Sequence, residues 1–130
     1  MDTSKEYIEM CRKAVEVQEA WEPDVGDWTD HGTVTIVWSS GAVNYISYGG
    51  QASNLLPYGD LTWLPRQDQL QDMVREGTDY HTLMKFDTWV FTLARVYDDI
   101  IIEKFSMEQL WFAFVMHELH SKQWDGKQWK

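Results

Sequence analysis

Cysteine occurs once, at position 11, in a chain of 130 residues. A single thiol has no internal disulfide partner and cannot build a Cys-based zinc knuckle, so a reducing, cytoplasmic compartment is the expectation. Basic residues are also scarce, 11 Lys+Arg against 21 Asp+Glu, which leaves a formal net charge of −10. Phosphate binding needs clustered cations that release counterions, so direct contact with nucleic acid is not expected. No uncharged apolar run approaches the ~18 residues that a membrane span requires, and the start Met1-Asp2-Thr3-Ser4-Lys5-Glu6 lacks the basic and apolar regions of a signal peptide. Neither a membrane partner nor a leader is therefore expected. Missing too are the Gly-x-Ser-x-Gly elbow of serine hydrolases and a Lys-Ser/Thr pair after Gly49-Gly50, which removes the usual nucleophile and phosphate cradle.

Tryptophan is abundant. Eight indoles, at 21, 28, 38, 63, 89, 111, 124 and 129, supply core volume or binding anchors, each with a polar N–H at one end. Most are expected in the core, with Trp124 and Trp129 left outside in a polar tail at about 123–130. The charge is uneven: residues 1–30 hold nine acids and three bases, 66–103 hold eight acids and four bases, and nothing between His31 and Gly59 is charged.

Local pattern predicts an α+β fold in a single domain over 1–130. Thr3 with Glu6 reads as a capping box, and Tyr7, Met10, Ala14, Val17 and Trp21 recur at helical spacing, so a first helix is expected over 4–20. Pro23 and Gly26 end it. The uncharged stretch then carries two β-branched and aromatic runs, 33–38 and 43–48, separated by Ser39-Ser40-Gly41-Ala42, which predicts an antiparallel hairpin at about 33–48. Simple alternation puts Val34, Ile36 and Trp38 on one face. Residues 49–54 read as a loop, and 61–64 as a third strand. Two or three C-terminal helices follow, over 67–76, over 81–96 with Leu83, Phe86, Val90, Leu93 and Ala94 on one face, and after the capping box Ser106/Gln109 with Leu110, Trp111, Phe114, Val115 and Leu119 buried. Residues 96–102 read as either helix or strand. Trp89, Phe91, Phe112 and Met116 fall off these stripes and would be covered by a homodimer or by wide helix burial.

Three segments carry a resemblance: Trp21-Glu22-Pro23-Asp24-Val25-Gly26-Asp27-Trp28, Trp63-Leu64-Pro65-Arg66-Gln67-Asp68-Gln69-Leu70-Gln71, and Leu110-Trp111-Phe112-Ala113-Phe114-Val115-Met116 with Trp124-Asp125-Gly126. Over nearly its whole length the chain resembles small uncharacterised proteins encoded by bacteriophages and prophages of Gram-positive bacteria. The resemblance implies a phage origin and a host-cytoplasm setting, and brings no catalytic residue with it.

Candidate binding residues are Trp28, Trp63, Arg66, Gln67, Asp68 and Gln71, a polar cluster beside two indoles. No catalytic residue, metal ligand or cofactor is expected. His117-Glu118-Leu119-His120 lacks the i,i+4 histidine pair of zinc proteases, although His117 and His120 share a helix side that Asp98 or Asp99 could complete. The leading expectation is a non-enzymatic acidic binding protein, anti-CRISPR-like or a DNA mimic, that modulates a host nucleic-acid-handling or defence protein with a basic surface. The alternative is a small-ligand or nucleotide-binding protein with Trp28, Trp38, Tyr45, Trp63 and Arg66 around an aromatic pocket.

Overall fold

A computed structural model describes residues 1–50, 53–96 and 103–130, with side chains of 94–96 left aside. The fold is α+β and divides into two compact units, Thr3–Pro65 and Arg66–Lys130 with Met1–Asp2.

In the first unit, α1 (Lys5–Lys13) begins at Ser4, whose side chain accepts the Tyr7 N–H at 3.2 Å, so the cap sits one residue later than the sequence pattern suggests. The expected single helix is broken at Ala14 (φ −86°, ψ 72°) and resumes as α2 (Val15–Glu19), a five-residue piece with two β-branched valines of low helix propensity. The apolar stripe survives the break: Tyr7, Met10, Ala14, Val17 and Trp21 are all buried.

A five-stranded antiparallel sheet follows, in the order β4-β3-β2-β1-β5, from β1 (Trp28–Thr29), β2 (Gly32–Val37), β3 (Ala42–Ser47), β4 (Ser53–Pro57) and β5 (Trp63–Leu64). The hairpin is β2–β3, turned at Gly41 (φ 85°), where the Trp38 N–H donates to the Ala42 carbonyl at 2.9 Å. A β-bulge between Val34 and Ile36 overturns the simple alternation: Val34 pairs with buried Tyr45, but Ile36 pairs with Asn44. One inserted residue flips the rest of the strand, so Ile36 and Trp38 lie on the face opposite Val34. The expected loop at 49–54 gives way, from Ser53 on, to edge strand β4.

The polar turn 21–28 closes on one carboxylate. Asp27, only 2% exposed, accepts the Trp21 Nε1–H and the Asp24 N–H, both at 2.9 Å. Main-chain bonds from Gly26 N to Val34 O and from Val34 N to Asp27 O, both 2.9 Å, fasten the turn to β2.

The second unit is helical. Arg66 caps α3 (Gln67–Met73) through its main chain, donating its N–H to Gln69 Oε1 at 3.0 Å. The helix ends three residues short of expectation. Then come α4 (Asp79–Val96) and α5 (Met107–His120), with α5 packed on both α3 and α4. Phe86 of α4 stacks on Trp111 of α5 at 3.8 Å. On α5 the narrow stripe is a misreading, since residues 111–116 are buried without interruption while Leu119 is 51% exposed. The stretch 111–116 is apolar all round and is buried all round, while the two ends of the helix are not. Phe112 and Met116 thus need no cover from a second copy, whereas Phe91 stays exposed, as does Leu83 on the expected face of α4. The Ser106/Gln109 capping box forms as expected, and Asp2 extends it, accepting from Ser106 Oγ (2.5 Å) and Gln109 Nε2 (3.0 Å).

The tail is a closed miniature hairpin rather than a loose end. Trp124 bridges Trp129, and Gln123 and Lys130 exchange main-chain hydrogen bonds at 2.9 and 3.3 Å. Trp124 is buried and Trp129 half-buried against Phe112, contrary to the exposed placement expected for both. The helix-or-strand question at 96–102 falls, from 97 on, outside the described residues. Among the described residues no helix is long and apolar enough to cross a membrane.

Candidate functional site

Of the six sequence-derived site residues, Trp28 and Trp63 belong to the first unit and Arg66, Gln67, Asp68 and Gln71 to the second. In the sheet, Trp28 is registered with Leu64 and Thr29 with Trp63, so neighbouring Trp28 and Trp63 project from opposite faces. Trp63 is buried and stacked on Trp21 (5.9 Å, 5°), with Tyr58 edge-on to Trp21. Its Nε1 is the one buried side-chain polar atom without a hydrogen-bond partner among the described residues. Trp28 stacks instead on Tyr48 at 5.4 Å, and partial burial together with the Asp30 carboxylate pushes the Tyr48 phenol up to about 12.

In the helical unit, Arg66 is gripped by Asp68 through two bonds, Nε to Oδ1 (3.0 Å) and Nη2 to Oδ2 (3.3 Å). This pair holds the Asp68 carboxyl below the usual carboxylate range and leaves Arg66 a committed partner rather than a waiting anion hook. Gln67 and Gln71 are half-buried one turn apart on α3, and Gln71 lines a cavity of about 300 Å³ with Arg75, Asp79, Thr82, Leu83 and Trp111. The aromatic pocket of the alternative reading is not assembled either. Tyr45 faces the core, while Trp38 donates its Nε1–H to Asn44 Oδ1 (2.6 Å) on the other side of β3.

Two surfaces stand out, the first on the uncharged sheet that the sequence already marked and the second not expected from it. On the open face of the sheet, Ile36, Trp38, Ile46, Tyr48 and Leu55 are all exposed, with no charged side chain between 31 and 59. The missing charges were a visible signal; the bulge that gathers these residues on one face was not. The larger concavity, about 760 Å³, lies between α4 and α5, with Met84, Trp89 and Leu93 on one wall and His117 on the other. Lys85 crosses its rim between Glu76 (2.8 Å) and Glu118 (3.5 Å); the two carboxylates, Glu76 first, raise the lysine pKa, and the Lys85 ammonium in turn lowers that of Glu76. Trp89 sits three residues after Phe86, off the apolar stripe but at helical spacing, the signal by which this groove could have been found. His117 lies 5.9 Å from the Trp89 ring. Among the described residues no group of three or more His, Cys, Asp and Glu is placed to hold a metal; Asp98 and Asp99 fall outside them.

The electrostatics have one consistent theme. Each arginine with a described side chain is held by carboxylates: Arg12 by Glu9 and, at 3.7 Å, Asp30; Arg66 by Asp68; Arg75 by Asp79 and, at 2.6 Å, Asp72. Exposed pairs of this kind add little stability, but they neutralise the few cations locally and leave the surplus acids to set the long-range field. Comparison of the chain with protein-family models, curated proteins and solved structures finds no match.

Proposed function

We propose that this chain is a non-enzymatic acidic binding protein that modulates a host nucleic-acid-handling or defence protein by occupying its basic, phosphate-binding surface. The observation that carries the reading is the neutralisation of Arg12, Arg66 and Arg75 by neighbouring carboxylates within a chain of net charge −10. An acidic surface whose described arginines are paired with carboxylates attracts a basic groove from a distance and repels nucleic acid. The resemblance to phage proteins supports a bacterial host as the source of that partner. The test is affinity capture from host lysate, washed with rising salt and with double-stranded DNA as competitor. The expected result is a nucleic-acid-binding protein released by both.

A second reading, small-ligand binding, is favoured by the groove at Trp89 and His117, where the apolar surface of Met84, Trp89 and Leu93 suits a planar ring and the polar rim with Lys85, His117 and Glu118 supplies hydrogen-bonding groups. Titration with nucleotides would then quench tryptophan fluorescence in the parent chain and not in Trp89→Phe.

A further inference from the structure

The two edges of the sheet are treated differently. Edge strand β5 is two residues long, buried, and sealed by a side chain: Gln18 accepts the Trp63 N–H at Oε1 (2.8 Å) and donates its Nε2–H to the Trp63 carbonyl (3.0 Å). The amide of Gln18 thus takes the place of a neighbouring strand. At the other edge, β4 spans five residues, Ser-Asn-Leu-Leu-Pro, with no lysine or other charge to discourage pairing.

The register shows which backbone groups of β4 have no strand partner among the described residues. Ala42 is opposite Pro57, and the Tyr58 N–H reaches past that pair to the Gly41 carbonyl at 3.2 Å, which makes 42/57 a non-hydrogen-bonded pair. The pattern alternates, so Asn54 and Leu56 bond inward to β3, while Ser53, Leu55 and Pro57 turn their backbone groups outward. Side chains follow the same rows: Ile36, Asn44 and Leu55 lie side by side across three strands, and Leu55, 59% exposed, ends the row at the open edge.

We infer that β4 is a self-association edge, on which a second copy of this chain adds its own β4 antiparallel about a two-fold axis at Leu55. In that register each Leu55 N–H donates to the Leu55 carbonyl of the other copy, and each Ser53 N–H donates to the other copy's Pro57 carbonyl. Pro57 has no N–H to offer, so the loss falls at the ends of the pairing and not at its centre. Leu55 of each copy, exposed at the end of its row, then packs against Leu55 of the other across the axis. Charge selects a second copy over a basic partner, because a strand without acids offers a basic partner nothing to recognise. Two chains of net charge −10, on the other hand, can meet closely only where carboxylates are missing, as they are from 31 to 59.

This inference is independent of the proposed function, and salt separates them: screening strengthens association of like-charged copies and weakens binding to a basic partner. The experiment is sedimentation velocity of the full chain over a concentration series at low and high NaCl, with Leu55→Pro and Leu55→Glu. Leu55→Pro removes an outward N–H that makes no bond to β3, and Leu55→Glu sets two carboxylates against each other. The expected result is a dimer of twice 15.4 kDa, tighter at high salt, and at least tenfold weaker in both variants with far-UV circular dichroism unchanged. If Leu55→Pro disturbs the fold, Leu55→Glu alone decides. A monomer at every concentration, or a dimer indifferent to the folded variants, overturns the inference.

Discussion

Trp21 and Trp63 form a natural paired experiment. Both indoles are buried to within 5–6% exposure, they stack on each other at 5.9 Å, and Trp→Phe removes the same atoms from each. Their N–H groups differ. That of Trp21 donates to the buried Asp27 carboxylate, whereas that of Trp63 has no partner. Trp21→Phe therefore loses a hydrogen bond to a charged group, about 1.5–3 kcal/mol, in addition to its packing. Trp63→Phe loses comparable packing but removes an unsatisfied buried donor, a relief of about 1–3 kcal/mol. The shared packing term cancels in the comparison, and Trp21→Phe is expected to be the more destabilising by about 2.5–6 kcal/mol. Urea unfolding followed by far-UV circular dichroism reads this difference without relying on the altered fluorescence. Equal losses, or a larger loss in Trp63→Phe, would refute the hydrogen-bond assignment at Asp27.

Three further expectations test other parts of the fold. A Cβ on Gly32 would lie 2.1 Å from the Ile46 carbonyl oxygen on the paired strand, so Gly32→Ala should lower stability by about 3 kcal/mol in the same assay. Asp2→Ala and Ser106→Ala should each destabilise, and their double-mutant cycle should show a coupling of about 1 kcal/mol, because one hydroxyl serves both Asp2 and the start of α5. The Asp125 carboxyl is lowered from 3.8 to about 2, first by the Gln128 N–H, then by the Lys130 ammonium and the Lys127 N–H. A lowered carboxyl pKa adds stability that is complete above about pH 4 and lost as pH falls towards 2. Carboxyl NMR titration should therefore place the Asp125 midpoint near 2, with the tail hairpin opening over the same range; a midpoint at the ordinary aspartate value contradicts the tail geometry.

What the sequence made legible was periodic. The buried face Tyr7, Met10, Ala14, Val17 and Trp21, the β2–β3 hairpin and the Ser106/Gln109 cap follow from spacing and turn chemistry, which are local. What it hid depends on partners distant in the chain or on one added residue. The bulge near Thr35 reverses the exposure of Ile36 and Trp38, yet nothing local in Thr33-Val34-Thr35-Ile36 announces it. Strand β4 was obscured because Ser53-Asn54 resembles a loop, and it becomes a strand only through its register with β3. The candidate site suffered most: proximity in sequence suggested that Trp63 and Arg66 act together, but Trp63 is taken up by the core of the first unit and Arg66 by Asp68.

The most direct test of an acidic binding function is the salt and DNA dependence of partner capture. At about 0.1 M salt charges interact over roughly 10 Å, and at 1 M over roughly 3 Å, so an association steered by surplus carboxylates should weaken steeply between the two. The expected result is a captured nucleic-acid-binding protein that leaves with rising salt and is displaced by double-stranded DNA. Retention that ignores both would contradict the acidic surface as the binding determinant.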